Sequence, residues 1–414
     1  MHNRLSEFLL KQNIIYDKQF GFRAGYSAQQ ALVYLMSKIL SAHSENKIVL
    51  GLFLDLSKAF DTVNHKILLG KLERYGIRGV ALKWFRSYLN DRYQFVSYNN
   101  VNSKHGCITC GVPQGSILGP LLFLIYINDL PNVTQDTESI LYADDTNIFV
   151  TGTNINNMID CLNNNISLLV RWLNSNKLSL NISKTHYVIF PPGRKDITTV
   201  KNPLIRGTPV ERSTCTKFLG VKLDDKLSFN YHIQHIKMKI AKSIGILCQS
   251  KKLFNQKTLI TLYNSFIYPY LTYCIEIWGR ANKMYTSSIL KLQKQCCRIV
   301  AGASKTTPSD TLFKSLNILP LSNIYEYSVL LFMFKFYHGR LPSLFNSIFN
   351  RKTQNVNIVT RNTHFLRVPL CKSKCSFHSI LYNGPSLWNK FCSFIDCHCS
   401  CRIFKARILQ CLLS

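Results

Sequence analysis

Ile48-Val49-Leu50-Gly51-Leu52-Phe53-Leu54 is a near-continuous apolar run that stops at Asp55. No other stretch constrains the fold as much. A run of strand length without polar alternation predicts a strand buried on both faces, hence a central strand. An ionised aspartate at its end is costly unless it is paired or binds metal. It would also be explained as the cap of a following helix, because Asp is a favoured cap. Both readings stand at Asp55. A second carboxylate site lies in residues 139–150, Ser-Ile-Leu-Tyr-Ala-Asp-Asp-Thr-Asn-Ile-Phe-Val. Two β-forming runs flank Asp144 and Asp145, which predicts a hairpin with both at its tip. Adjacent carboxylates repel, and a hard divalent ion such as Mg2+ would relieve that repulsion. A plain surface turn is the alternative. A strand end and a hairpin tip side by side would hold two ions roughly 4 Å apart, the arrangement for in-line phosphoryl displacement. The chemistry suggested is nucleotidyl transfer.

Between these sites lies Cys110-Gly111-Val112-Pro113-Gln114-Gly115-Ser116, followed by the apolar stretch from Ile117 to Pro131. It reads as a Gly/Pro-rich loop running into a core helix. The loop glycines allow close approach to a ligand, and Gln114 offers an amide. Further along, helices are expected around 27–44, 65–89 and 156–174, with a strand around 186–190. Residues 229–345 read as mostly helical. Pro191-Pro192-Gly193 and Lys201-Asn202-Pro203 mark loops.

In order, these segments resemble the conserved blocks of reverse transcriptases of non-LTR (LINE-like) retrotransposons. Gln19-Phe20-Gly21-Phe22-Arg23-Ala24-Gly25-Tyr26-Ser27 is similar to a fingers block. Leu54 to Val63 is similar to the first palm block, Gly111 to Pro131 to the Pro-Gln-Gly block, and Tyr142-Ala143-Asp144-Asp145 to the catalytic box. Leu178 to Thr185 resembles the lysine-bearing block, and Lys217 to Asp224 the hairpin that grips the primer. Leu366-Arg367-Val368-Pro369 and Tyr382-Asn383-Gly384-Pro385-Ser386-Leu387-Trp388-Asn389 resemble the C-terminal region of jockey- and CR1-like elements. The blocks cover about residues 15–235.

The resemblance implies an α/β (α+β) fold: right-hand polymerase fingers and palm with an antiparallel sheet, then a mostly helical thumb and C-terminal region. Boundaries are expected at 1–210, 211–345 and 346–414. It also implies roles. Asp55, Asp144 and Asp145, with the Leu56 carbonyl, would hold two Mg2+ ions, Mn2+ being the alternative. Phe60 would sit under the sugar of the incoming nucleotide and clash with a 2′-hydroxyl; a core aromatic is the other reading. Gln114 and Gly115 would meet the incoming nucleotide or its template partner. Lys184 would neutralise or protonate pyrophosphate, unless it is a solvated surface lysine. Arg23 would contact phosphate or template, and Phe218, Leu219 and Gly220 the primer end. The partners implied are an RNA template, a DNA primer and deoxynucleoside triphosphates.

Composition agrees. The 51 Lys+Arg against 21 Asp+Glu leave a net charge of +30, which calls for a polyanionic partner. Residues 1–226 hold 26 basic and 17 acidic residues; residues 227–414 hold 25 basic and only 4 acidic, Glu276, Asp310, Glu326 and Asp396. Four scattered acids suggest no ribonuclease H domain and no C-terminal endonuclease. The family's first fingers block should precede Gln19, so Met1 is expected to mark a truncated gene model or decayed copy. An inactive nucleic-acid-binding remnant is therefore the second reading. A group II intron maturase is the third, opposed by the Ser57-Lys58-Ala59-Phe60-Asp61-Thr62-Val63 continuation. No apolar run reaches the roughly 20 residues of a membrane span, and no signal peptide is evident. An intracellular place, nucleus or cytoplasm, with reduced thiols is expected for the fifteen cysteines. Cys371, Cys375, His378, Cys392, Cys397, His398, Cys399 and Cys401 match no standard zinc spacing. Cys107 and Cys110 lack a second pair.

Overall fold

In chain order the elements begin with α1 (His2–Lys11), α2 (Ala28–Ser44), β1 (Ile48–Leu54), β2 (Leu56–Ser57), α3 (His65–Arg74) and α4 (Gly79–Leu89). Short strands β3 (Arg92–Gln94), β4 (Ser97–Tyr98), β5 (Val101–Asn102) and β6 (Gly106–Ile108) precede α5 (Leu118–Ile127). The hairpin β7 (Glu138–Tyr142) and β8 (Asp145–Gly152) leads to α6 (Ile155–Ser175), β9 (Ser179–Leu180) and β10 (His186–Phe190). Then come β11 (Leu204–Ile205), β12 (Thr208–Pro209), β13 (Glu211–Arg212), β14 (Cys215–Phe218) and β15 (Val221–Asp224). This computed structural model describes residues 1–193, 197, 201–350, 365–370, 377–393 and 397–413. Two compact units divide them. One comprises Met1–Ser27, Lys47–Pro191 and the described part of 195–213; the other comprises Ala28–Asn46, Pro192 and Gly193, and the described residues from Thr214 onward.

The first unit is built around β1, whose seven residues are all buried. It is the middle strand of a five-stranded sheet ordered β13-β10-β1-β8-β7. Every pairing is antiparallel except the short parallel edge pair of β10 with β13. Burial on both faces explains the unbroken apolar run. Ile48, Leu50, Leu52 and Leu54 join the core made with α3, α5 and α6. On the opposite face Phe53 stacks on His186 and meets Phe149 edge-on. Helix α5 is buried nearly all round, which a helix without an apolar stripe requires. The helical pattern expected over 65–89 breaks between α3 and α4, where Gly76 and Gly79 take φ of 95° and 60°. Helix α1 and the arm β3–β6 were not anticipated; their strands are two or three residues long, too short for a periodic signal.

One buried cation ties α3 to α5. Lys71 is 7% exposed, and its ammonium donates to the Tyr126 carbonyl and to Asp129, each at 2.6 Å. It also lies over the Trp172 ring, 4.7 Å from the centroid.

In the second unit, α7 (Asn230–Ser250), α8 (Gln256–Phe266), α9 (Tyr268–Thr272), α10 (Ile275–Trp278), α11 (Lys283–Ala301), α12 (Ser309–Ser315) and α13 (Leu321–Tyr337) form the expected helical region. Gln293 is fully buried and satisfied at both ends: it donates to Tyr263 and the Leu319 carbonyl and accepts from Leu321 N–H. Two further helices, Ile380–Cys392 and Cys401–Leu413, lie in the C-terminal region. Within it Asn389 grips the backbone of Leu366, accepting from its N–H at 2.8 Å and donating to its carbonyl at 2.9 Å. The two C-terminal motifs are thus in contact. Cys392 and Cys397 are paired as a disulfide. Cys371 and Cys375 lie outside the described residues. No described helix is long and apolar enough to cross a membrane.

Candidate active site

Strand register decides which carboxylates meet. Leu54 of β1 pairs with Thr146 of β8, so Asp55 and Asp145 stand one step beyond, facing each other across the strands. Tyr142 pairs with Asp145, which leaves Ala143 and Asp144 as a two-residue turn. The hairpin tip is therefore Ala143-Asp144, and Asp145 opens β8. After Asp55 the chain leaves the sheet: the Asp55 carbonyl accepts from Asn181 N–H at 2.8 Å, and Leu56 pairs with Leu180. No helix starts there. The next helix, α3, is capped by Asn64, whose side chain accepts from Ile67 N–H. The capping alternative for Asp55 is excluded.

The three carboxylates have little to balance them. Lys184 Nζ stands 3.9 Å from Asp55 Oδ2, and the two side chains are 70% and 41% exposed. Such a long, solvated pair contributes little. Burial, then the charges of Asp144 and Asp55, push the Asp145 carboxyl up to about 6. Solvent still reaches Asp145, so a cation can as well. Among the described residues no three His, Cys, Asp or Glu side chains converge into a ready cage. A caged site would suit zinc. Mg2+ instead keeps several waters and binds through one or two carboxylates plus substrate phosphates. The oxygen-only donors and uncompensated negative charge of Asp55, Asp144 and Asp145 fit that kind of ion.

The Pro-Gln-Gly loop is laced to the segment after Asp55. Gly111 N–H donates to the Val63 carbonyl and Val112 N–H to the Phe60 carbonyl, at 2.8 and 2.9 Å. His65 Nε2 contacts the Gly111 carbonyl at 2.7 Å. Gln114 is exposed and donates to Asp61 at 2.7 Å. Gly115 follows at φ 80°, with open space on its Cα. Phe60 is half-buried, stacked on Phe123 of α5 at 4.3 Å between ring centres, with Phe22 edge-on at 6.1 Å. Phe22 itself is 56% exposed. Its position beside Phe60 was not anticipated, because nothing in a nine-residue block says which of its aromatics turns outward.

Arg23, expected to meet phosphate or template, also makes contacts within its own loop. Its Nη1 donates to the carbonyls of Tyr16 and Gln19, at 2.9 and 3.2 Å, and its guanidinium lies 3.9 Å over the Tyr26 ring. Gln19 was also missed as a site neighbour. Its side chain crosses to the carboxylate turn, accepting from Ala143 N–H at 3.0 Å.

In the second unit, β14 and β15 form a hairpin in which Phe218 pairs with Val221. Leu219 and Gly220 fill the turn at φ 45° and 83°. Positive φ at both central residues matches the twist of the flanking strands and favours glycine. The Tyr273 hydroxyl donates to the Leu219 carbonyl at 2.7 Å. Phe218 is buried, and Asp224 closes the hairpin by accepting from Ser228 and Phe229 N–H.

Residues 1–223 match the family model described as reverse transcriptase (RNA-dependent DNA polymerase). The chain is 30% identical over 336 residues to the probable RNA-directed DNA polymerase from transposon BS of Drosophila melanogaster, covering 76% of this chain and 36% of that protein. It is 29% identical over 345 residues to the RNA-directed DNA polymerase from mobile element jockey of Drosophila funebris, covering 80% and 36%. The chain thus spans about a third of the length of these relatives. Among solved structures, telomerase from Candida albicans with a TWJ fragment of telomeric RNA aligns at TM-score 0.44 and 14% identity, over 77% of this chain and 58% of that one. With the palm-type carboxylates on adjacent strands and a family match over more than half its length, the chain belongs to the reverse transcriptase family.

Proposed function

We propose that the chain is an RNA-directed DNA polymerase of a non-LTR retrotransposon. The primer 3′-hydroxyl would attack the α-phosphorus of a deoxynucleoside triphosphate paired to the RNA template, forming one phosphodiester bond and releasing pyrophosphate. The single observation that supports this most is the register setting Asp55 opposite Asp145 and beside Asp144, in a chain of this family.

Asp55, Asp144 and Asp145, with the Leu56 carbonyl, would hold two Mg2+ ions, or Mn2+. Such ions stabilise the attacking and leaving oxygens when bound. The chain's own residues do the positioning. Phe60, braced on Phe123, would lie under the sugar and reject a 2′-hydroxyl. Gln114 and Gly115 would meet the incoming nucleotide, with Gln114 held by Asp61. Lys184 would neutralise pyrophosphate or hand it a proton. The turn of Leu219 and Gly220, anchored by Phe218, would steady the primer end. Arg23 would contact phosphate or template from the loop that it also braces. On this reading the chain works inside the cell, in nucleus or cytoplasm. The inactive-remnant reading is the less favoured, since all three aspartates are present.

Primer extension on an RNA template with Mg2+ tests it. The parent is expected to extend, and the Asp144→Asn/Asp145→Asn variant to bind RNA without extending. Equal extension by both would remove the metal assignment. Salt-sensitive RNA binding without extension by either would favour the remnant.

A further inference from the structure

Like charges side by side at the end of a turn, as at Asp144 and Asp145, repel and favour opening it. The turn after Tyr142 has a second difficulty: Ala143 takes φ 56°, a left-handed conformation that residues with a Cβ disfavour. Something outside the hairpin must hold it. One distant segment does so along its whole contact. Leu141 N–H donates to the Lys18 carbonyl at 3.0 Å, and Phe20 N–H donates to the Leu141 carbonyl at 2.8 Å. Lys18–Phe20 thus lie as a strap along β7. From the middle of the strap comes Gln19, 2% exposed. Its Oε1 accepts two N–H groups at once, Gly21 at 2.8 Å and Ala143 at 3.0 Å. Gly21 allows this closeness, because a Cβ there would run into the Ala143 amide. The Arg23 contact on the Gln19 carbonyl braces the strap from behind.

We propose that Gln19 is the positioning residue of the carboxylate turn. Its side-chain oxygen fixes the peptide at Ala143, and with it the directions in which Asp144 and Asp145 project. The role rests on the metal reading given under Proposed function. Without an acceptor, two buried N–H groups lose their partner, and the turn must relax toward water to recover one. Groups that orient metal-binding carboxylates from behind change metal affinity about 10–100-fold when removed.

The test compares the full parent chain with Gln19→Met, Gln19→Asn and Gln19→Glu. Met keeps the volume and loses the acceptor. Asn keeps the amide but is too short to reach both N–H groups. Glu keeps the shared oxygen, loses the NH2, which has no partner among the described residues, and adds a negative charge beside Asp144 and Asp145. Three readouts are taken: amide exchange at Ala143, Mn2+ affinity by electron paramagnetic resonance, and melting temperature. In Gln19→Met and Gln19→Asn, exchange at Ala143 should quicken about tenfold, the value of one lost hydrogen bond. Mn2+ affinity should fall about 10–100-fold, out of proportion to any change in melting temperature. Gln19→Glu should retain exchange protection at Ala143, since the acceptor oxygen is kept. Parental exchange or parental Mn2+ affinity in the folded Met or Asn variant overturns the role, as does a Glu variant whose Ala143 amide exchanges as fast as in Met. Asp144→Asn is run alongside. If it binds Mn2+ like the parent, the metal reading falls and takes the role with it; if it binds weakly while Gln19→Met binds like the parent, only the role of Gln19 falls.

Discussion

Asp145 shows how single residues record the work of the site. Its pKa is about 6 in the fold against 3.8 for a free side chain, raised chiefly by burial and then by Asp144 and Asp55. Between roughly pH 4 and 6 the metal-free native state therefore binds more protons than the unfolded chain, so stability falls as pH rises through that window. Chelated parent protein should lose melting temperature from pH 4 to 6, and Asp145→Asn should flatten that part of the profile. Coincident profiles would show that the raised pKa is not a property of the folded site. Phe60 makes a second prediction. Phe60→Ala should admit ribonucleotides in primer extension, and because the ring is only half-buried the stability cost should be below the ~3–5 kcal/mol of a fully buried aromatic. An active variant with unchanged sugar discrimination would return Phe60 to the core reading.

At the scale of elements, the carboxylates are only as fixed as the helices beneath the sheet. Lys71 joins α3 to the end of α5, and burial lowers its pKa against the opposing pull of Asp129. Removing Asp129 leaves an ammonium with the Tyr126 carbonyl as its remaining hydrogen-bond acceptor. Asp129→Ala should cost about 1–3 kcal/mol, read as a lower urea midpoint. Lys71→Met/Asp129→Ala should recover much of it, since an apolar replacement leaves no buried charge. A double variant weaker than Asp129→Ala would mean the ammonium stabilises through its rings rather than through Asp129. Helix positions were largely legible: α2 and α6 fall within a residue or two of the expected bounds, and α5 lies within the apolar stretch from Ile117 to Pro131. The arm β3–β6 was not, because its exposed Tyr93, Phe95, Val96 and Tyr98 give no in–out alternation.

For the whole molecule, charge is the governing quantity. With net +30, RNA binding should weaken log-linearly with salt, by about 0.7 per phosphate contacted on a single strand. The slope should be the same for parent and for Asp144→Asn, because affinity then comes from lysines and arginines and not from the site. Filter binding between about 50 and 300 mM salt, over which the Debye length shrinks from roughly 14 to 6 Å, reads this. A flat dependence would mean that the basic surplus serves some purpose other than holding phosphates.

By itself the sequence determined the strand ending at Asp55, the Asp144-Asp145 hairpin, the glycine loop before its helix, and their order. These signals are short-range: periodicity and turn chemistry act over a few residues. Tertiary structure alone decided that Asp145 faces Asp55, that Asn64 caps the helix Asp55 was a candidate to cap, and that Arg23 braces its own loop. It also brought Gln19 to Ala143 across 124 residues of chain. Strand register and the direction of a buried polar side chain depend on partners distant in sequence, and no local pattern encodes which partner will be near.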